Sequence, residues 1–222
     1  ESQGMIGYML AQQLSASHPQ QPVSTLLTRV LVDAQDTDYQ APSKFIGPVY
    51  APEQRQALEA KYGWTLKTDG NYIRRVVPSP APQKILDIEA ITLLLSQRHI
   101  VICNGGGGIP MIAGERGLTG SEAVIDKDLA AALLAEQVGA DHLVILTDAD
   151  AVYQEWGTPR QRAIRRATTQ ELAPMAVADG AMGPKIMAVS RFVDRTGRTA
   201  HIGGLQDIDA VLAGQAGTSI LP

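Results

Sequence analysis

The run His99-Ile100-Val101-Ile102-Cys103, followed at once by Asn104-Gly105-Gly106-Gly107-Gly108-Ile109-Pro110, constrains the fold of this 222-residue chain more than any other feature. A short apolar run bounded by glycines predicts a buried strand ending in a tight turn. Comparable patterns predict strands at Val23–Val32, His142–Leu146, Thr199–Gly203 and Thr218–Leu221. Between them the spacing predicts helices at Lys84–Gln97 (with Ile88, Ile91 and Leu95 on one face), Asp126–Val138 (closed by Gly139), Pro184–Val193 and Asp207–Leu212. Short apolar strands alternating with helices predict an α/β fold: a mostly parallel sheet covered on both faces.

Residues 33–82 break that rhythm. They hold several prolines, a helix-like stretch at Pro52–Tyr62 and alternating segments around Trp64–Val77, and are expected to form an inserted lobe over the sheet's edge or mouth, within one domain spanning 1–222. At the start, Ser2-Gln3-Gly4-Met5-Ile6-Gly7-Tyr8 reads as a helix already under way behind a non-Met residue, so the chain is expected to be part of something longer. The 23 acidic and 19 basic side chains give a net charge of -4, which argues against a nucleic-acid partner. Cys103 stands alone, which excludes an internal disulfide or a multi-cysteine metal site; it is expected to pack at a strand end in a reducing cytosol. Apolar stretches fall short of the roughly 18–20 residues of a membrane helix, and no basic-then-apolar leader opens the chain, so a cytoplasmic location is expected.

The glycine run has proline where a dinucleotide fingerprint needs its third glycine, and Gly180-Ala181-Met182-Gly183-Pro184-Lys185 has the wrong spacing for a Walker A loop. No nucleophile elbow is present. His18, His99, His142 and His201 are scattered without metal-ligand spacing and read as packing or surface residues, so no protein-held metal is expected. The cluster Arg160, Arg162, Arg165 and Arg166 reads as a solvated helical face.

Three lysines stand in unusual company. Lys127 lies between Asp126 and Asp128 at a helix entrance, Lys185 follows Gly-Pro at another, and Lys44 sits in Pro42-Ser43-Lys44-Phe45-Ile46-Gly47-Pro48 within the lobe. A lysine at a helix N-terminus opposes the macrodipole, so two of them point to a strongly anionic ligand such as phosphate. Leu146-Thr147-Asp148-Ala149-Asp150-Ala151-Val152-Tyr153 places two carboxylates at a strand's carboxyl end; it reads either as a ligand site or as a polar turn.

Taken in order, Glu1–Tyr8, Lys44–Pro48, Asn104–Pro110, Glu122–Asp128, Leu146–Tyr153 and Gly180–Lys185 resemble the motifs of carbamate kinases, members of the amino-acid kinase fold family; Ala216-Gly217-Thr218 resembles that family's C-terminus. The resemblance implies an αβα sandwich with a protruding lobe, here without the family's N-terminal βα units and their two phosphate-cradling glycine turns. It implies phosphoryl transfer between ATP and carbamate, giving ADP and carbamoyl phosphate and running towards ATP in catabolism. Mg²⁺ would accompany the nucleotide, and the assembly would be a homodimer with Ser2–Leu14 contributing to the interface. Another acylphosphate-forming amino-acid kinase, or a catalytically silent partner subunit, is the alternative.

By the same resemblance Lys127, Lys185 and Lys44 would neutralise phosphoryl and nucleotide phosphates, with Asp128 orienting the lysines and Lys44 reaching in from the lobe. Asn104, Gly105, Gly106, Gly107 and Gly108 would let the backbone approach the small substrate. Thr147, Asp148, Asp150, Tyr153, Met182, Gly183 and Pro184 would form the nucleotide pocket.

Overall fold

The computed structural model describes residues 2–177 and 181–222. Glu1 and Gly180, each the first residue of a motif quoted above, lie outside the described residues.

Helix α1 (Ser2–Ser17) leads into β1 (Val23–Thr25) and β2 (Arg29–Val32). The stretch expected to be one strand over Val23–Val32 is thus broken at Leu26–Thr28. The break lets one extended run serve two neighbours: β1 pairs parallel with β7 (Ile100–Ile102), and β2 pairs parallel with β8 (Ile109–Gly114). Buried Thr28 sits at the crossing point. Its carbonyl accepts from Ile109 N and its hydroxyl accepts from Asn104 N.

The helix expected from Lys84 starts later. Pro82–Ile85 is a strand, β6, antiparallel to β2, and α3 spans Ile88–Ser96. Strand pairing wins over helical periodicity because Ile85 and Val30, partners in that ladder, are both fully buried. Asp87 pins the corner, accepting from Arg29 N and pairing with the Arg29 guanidinium at 2.6 Å. Of the three residues assigned to one apolar face, Ile91 is buried but Leu95 is exposed.

The rest of the chain runs through β9 (Gly117–Gly120), α4 (Lys127–Val138), β10 (Leu143–Thr147), β11 (Val152–Gln154), β12 (Arg162–Ile164), β13 (Arg166–Thr168), α5 (Thr169–Ala176), α6 (Met182–Thr196), β14 (Ala200–Gly204), α7 (Ile208–Leu212) and β15 (Thr218–Leu221). Arg162 and Arg166 therefore lie on strands, and the expected helical arginine face is corrected; the side chains are solvated all the same. The local cause is pairing: Val152–Gln154 takes Arg162–Ile164 antiparallel, and β13 takes β15 parallel.

Parallel ladders join β1 to β7, β2 to β8, β10 to β14 and β13 to β15, whereas β6, β9, β12 and the β14–β15 pair run antiparallel to their neighbours. These ladders form separate sheets, ordered β1-β7, β6-β2-β8-β9, β10-β14-β15-β13 and β11-β12, and the two four-stranded ones are mixed. In the first of these the hairpin at Gly114–Gly117 closes an antiparallel pair without a helical crossover.

Strand alternation sorts the helices into two layers. Ala200 and Ile202 of β14 join the core beneath α6, whereas a Cβ on Gly203, the residue after Ile202 and so on the opposite face, would sit 2.4 Å from Val211 Cγ2 of α7. Leu26 packs on the core containing Ile91 and Leu133, whereas Thr25 meets α1 at Gly7. Helices α3, α4 and α6 cover one face; α1 and α7 cover the other. Helix α4 links the two cores, giving Ala132 and Ala135 to one and Ala130 and Leu133 to the other. Its Ala/Leu content favours the helix, Asp126 caps its N-terminus, and Gly139 at φ 66° closes it.

Residues 44–77 form their own three-stranded antiparallel sheet, ordered β3 (Lys44–Tyr50), β5 (Tyr72–Val77) and β4 (Thr65–Asp69), with α2 (Arg55–Tyr62) before β4. Pro82, the last residue of the expected lobe, already belongs to the main sheet through β6.

At the far end of the sheet His201 is buried, with Nδ1 3.1 Å from Ser219 Oγ and Nε2 3.4 Å from His142 Nδ1. Burial, and then the neighbouring His142, hold its pKa below the usual 6.5. A histidine whose folded pKa is depressed takes up its proton more readily when unfolded. Its contribution to stability is therefore complete above pH 6.5 and is lost as pH falls below that value towards the folded pKa. Thermal unfolding between pH 7.5 and 5.5 should show a Tm that falls with pH, and the fall should be shallower in His201→Gln; parallel slopes would count against this assignment.

Candidate functional site

Helix α4 starts the site. Asp126 is its N-cap: Oδ1 accepts from Asp128 N at 2.9 Å and from Leu129 N at 3.3 Å. That cap orients the next two side chains. Asp128 is buried, and its Oδ2 accepts from Lys185 Nζ at 2.9 Å while lying 3.7 Å from Lys127 Nζ. Lys185 comes from α6 and is itself buried, but the Lys127 side chain is 59% exposed. One carboxylate thus gathers two ammonium groups from two helix entrances, leaving one shielded and the other open to an incoming anion.

The third lysine arrives from the lobe. Lys44 Nζ donates to Asp126 Oδ2 at 2.8 Å. Burial acts to raise the Asp126 carboxyl, but the Lys44 hydrogen bond and charge, with the two backbone amides, hold it below the ordinary aspartate range. Lys44, Lys127 and Lys185, far apart in sequence, are brought to the start of one helix by two aspartates two residues apart.

The glycine turn packs against the same place. A Cβ on Gly107 (φ 131°) would lie 2.1 Å from the carbonyl oxygen of Ile125, the residue before the α4 cap, so only glycine permits this approach. Asn104, at φ 62°, donates from Nδ2 to Ala130 O inside α4 and is buried. Its carbonyl accepts from Gly107 N and Gly108 N, and Gly105 N donates to Cys103 O. The turn therefore uses three of its four glycine amides internally. Gly106 N–H has no partner among the described residues, and nothing lies within 4 Å of where its Cβ would be. Of the expected Gly105–Gly108 cradle, exposed Gly106 is the one whose amide is left without a partner among the described residues.

A cavity of about 540 Å³ adjoins Lys185. Thr147, Asp148, Tyr153, Met182 and Gly183 line it, as do Trp156 and Met175. Asp148 accepts from Thr147 Oγ1 at 2.8 Å, and this bond, followed by backbone amides, lowers its pKa. Asp150 and Pro184 are neighbours of that wall and not part of it; Asp150 instead accepts from Tyr153 OH at 2.9 Å, holding the ring in place. A larger, more open depression of about 850 Å³ lies around Arg160–Arg162 and shares Glu155 and Met175 with the first, but it contains none of the lysines. Chemistry, not size, selects the smaller one.

Three residues of this region escape the sequence reading. Asp126 is visible in the sequence only as a neighbour of Lys127; an aspartate before an apolar helix signals a cap, not a second bond. Trp156 stands 68% exposed at the cavity rim with its ring centroid 5.1 Å from that of Tyr153. Gln3 accepts from Thr28 N at 2.7 Å, and its Cγ lies 2.2 Å from where a Cβ on Gly105 would be, so α1 buttresses the glycine turn. Cys103, at the strand end, is half-buried against the α4 core, and burial pushes its thiol up to about 11, far from the thiolate a nucleophile needs.

Residues 7–204 match the amino acid kinase family. The carbamate kinase of Escherichia coli (strain K12) is 64% identical over 220 residues, which is 99% of this chain and 73% of that protein. The carbamate kinase of Rhizobium meliloti (strain 1021) is 47% identical over 99% of this chain and 69% of its own length. Among solved structures, a carbamate kinase from Giardia lamblia bound to AMP-PNP superposes with a TM-score of 0.88 at 34% identity, over 99% of this chain and 72% of the other. The chain spans roughly three quarters of the length of these relatives.

Proposed function

This chain belongs to the carbamate kinases of the amino acid kinase family, and from that premise we propose that it moves a phosphoryl group between carbamoyl phosphate and ADP, giving carbamate and ATP, at the N-terminus of α4. The observation carrying this reading is the sharing of Asp128 by Lys127 and Lys185, beside the glycine turn that packs through Gly107 against the start of α4.

The reaction suits such a site. In the direction of carbamoyl phosphate synthesis the attacking carbamate oxygen is already anionic, so no side chain has to remove a proton, and the scattered histidines have no role to fill. What remains is to bring two polyanions together and to stabilise charge on the transferring phosphoryl oxygens. Lys127, open to solvent, meets that group; Lys185, held by Asp128, supplies fixed positive charge beneath it; Lys44 approaches from the lobe, which excludes water when it lies over the site. The nucleotide occupies the cavity beside Lys185, its base towards Tyr153 and Met182 and its phosphates towards Thr147 and Gly183.

Among the described residues no cluster of three His, Cys, Asp or Glu side chains is placed to hold a metal ion. Asp128 is already engaged by lysine. Mg²⁺ is accordingly proposed to enter with the nucleotide phosphates, as this ion commonly does, and no step is assigned to it. A homodimer is proposed, with Met5, Ile6, Tyr8 and Met9 of α1, all exposed, as the apolar surface available to a second copy. No helix among the described residues is long and apolar enough to cross a membrane; a cytoplasmic location is part of the same proposal.

The test is ATP formation from ADP, Mg²⁺ and carbamoyl phosphate by the protein as encoded. Sustained turnover is expected. A folded protein that binds ADP but forms no ATP would overturn the reading and leave another carboxylic acid, or a silent subunit, as the alternative.

A further inference from the structure

Residues 121–126 join the β9 edge to α4, and they touch the lobe and its flanks at four successive points. Tyr39 OH and Ser121 Oγ lie 2.6 Å apart; Arg75 pairs with Glu122; Val124 N donates to Pro78 O at 2.9 Å; and Lys44 Nζ donates to Asp126 Oδ2 at 2.8 Å. The strap ends at the residue that caps the helix bearing Lys127 and Asp128. Any displacement of the lobe is therefore felt where the lysines converge.

Asp126 divides its two oxygens between two tasks. Oδ1 takes the amides of Asp128 and Leu129, and Oδ2 takes Lys44. Capping alone would be served as well by Ser, Thr or Asn. The second oxygen is where a carboxylate differs from those residues, because it adds a full negative charge opposite the lobe's lysine. Among the described residues Lys44 has no other ion-pair partner. On a flexible four-carbon stem, an unpaired ammonium would sample many positions, whereas the Asp126 pair fixes it beside the α4 N-terminus before ligand arrives.

We propose that Asp126 is the positioning residue of this site: it holds Lys44, and through it the lobe, in register with Lys127 and Lys185. The proposal rests on the reading of those lysines as the phosphoryl site.

Asp126→Asn separates the two tasks, since the amide oxygen can still accept from Asp128 N and Leu129 N while the charge facing Lys44 is gone. In the ATP-forming assay, kcat should fall between about tenfold and a hundredfold, with KM for ADP little changed and Tm close to that of the parent. Lys44→Gln should lose at least as much, because it removes the cation itself, and the double variant should be no worse than Lys44→Gln, because Asp126 acts through Lys44. Full turnover in Asp126→Asn, or losses that multiply in the double variant, would overturn the proposal.

Hydrogen exchange gives a readout that needs no activity. Amides of residues 121–126 and of Lys44–Tyr50 should exchange faster in both single variants, and unchanged exchange would overturn the coupling. If the parent protein forms no ATP from carbamoyl phosphate, the functional reading fails while exchange still decides the coupling. Should Asp126→Asn not fold, Lys44→Gln, a near-isosteric change at a side chain 37% exposed, decides it by the same exchange measurement.

Discussion

Lys127→Ala is expected to lower the rate of ATP formation by about 10³, the scale seen when one fixed stabiliser of developing oxyanion charge is removed. Stability should barely move. The side chain is 59% exposed, and its nearest carboxylate, Asp128 at 3.7 Å, has the closer Lys185 at 2.9 Å as its main partner. Exposed substitutions of this kind usually change stability by no more than about 0.5 kcal/mol. Steady-state kinetics and a thermal melt on the same sample separate the possibilities. A large drop in Tm would make Lys127 a structural residue, and retained turnover would remove it from the site.

Asp128→Ala should behave in the opposite way, losing activity and stability together. Lys185 Nζ is buried and has Asp128 as its ion-pair partner, so deleting the carboxylate leaves a buried ammonium without compensation. Breaking a buried pair from one side costs about 3–5 kcal/mol, which for a chain of this size corresponds to roughly 10 °C in Tm. Replacing both partners, as in Asp128→Ala with Lys185→Met, should recover part of that stability but none of the turnover, because the unpaired charge is gone while the phosphoryl site has lost the fixed cation Lys185. A single Asp128→Ala variant melting at the parental temperature would show that the buried pair contributes little to the fold.

The contrast between these neighbours follows from their side of the helix. Both lie in the first turn of α4, and in the linear sequence they form one undifferentiated acidic–basic cluster. Only the direction in which each side chain leaves the helix makes one a buried anchor and the other an exposed reagent.

Most elements could be read from periodicity and punctuation. Helix α4 begins after Asp126 and ends at Gly139, and β15 covers Thr218–Leu221, as the spacing predicts, because caps, left-handed glycines and short apolar runs are local signals. The misreadings share one cause. Val23–Val32 was legible as extended chain, but not its break at Leu26–Thr28, which exists to serve two different strand partners. Lys84 and Ile85 fit a helical period and yet form β6, because the β2 ladder and the buried Val30–Ile85 pair are worth more than a first helical turn. Arg162 and Arg166 are solvated as expected but extended, since β11 and β15 offer ladders to the segments that carry them.

In the site, residue types and order were enough to single out three lysines, one glycine turn and one acidic strand end, and their resemblance to the carbamate kinase motifs gave those residues a common chemistry. The sequence by itself determined which groups carry charge, where the glycine-rich turns fall and where α4 is capped and closed, because each of these depends on a residue and its near neighbours. Tertiary structure decided the partnerships. It placed Lys185 on Asp128 and Lys44 on Asp126, set Gly107 against the Ile125 carbonyl, and put Trp156 at the cavity rim. Those choices depend on distances between residues up to 82 positions apart along the chain, and such distances are fixed by how α4, α6 and the lobe pack together, not by any local preference of the residues that meet.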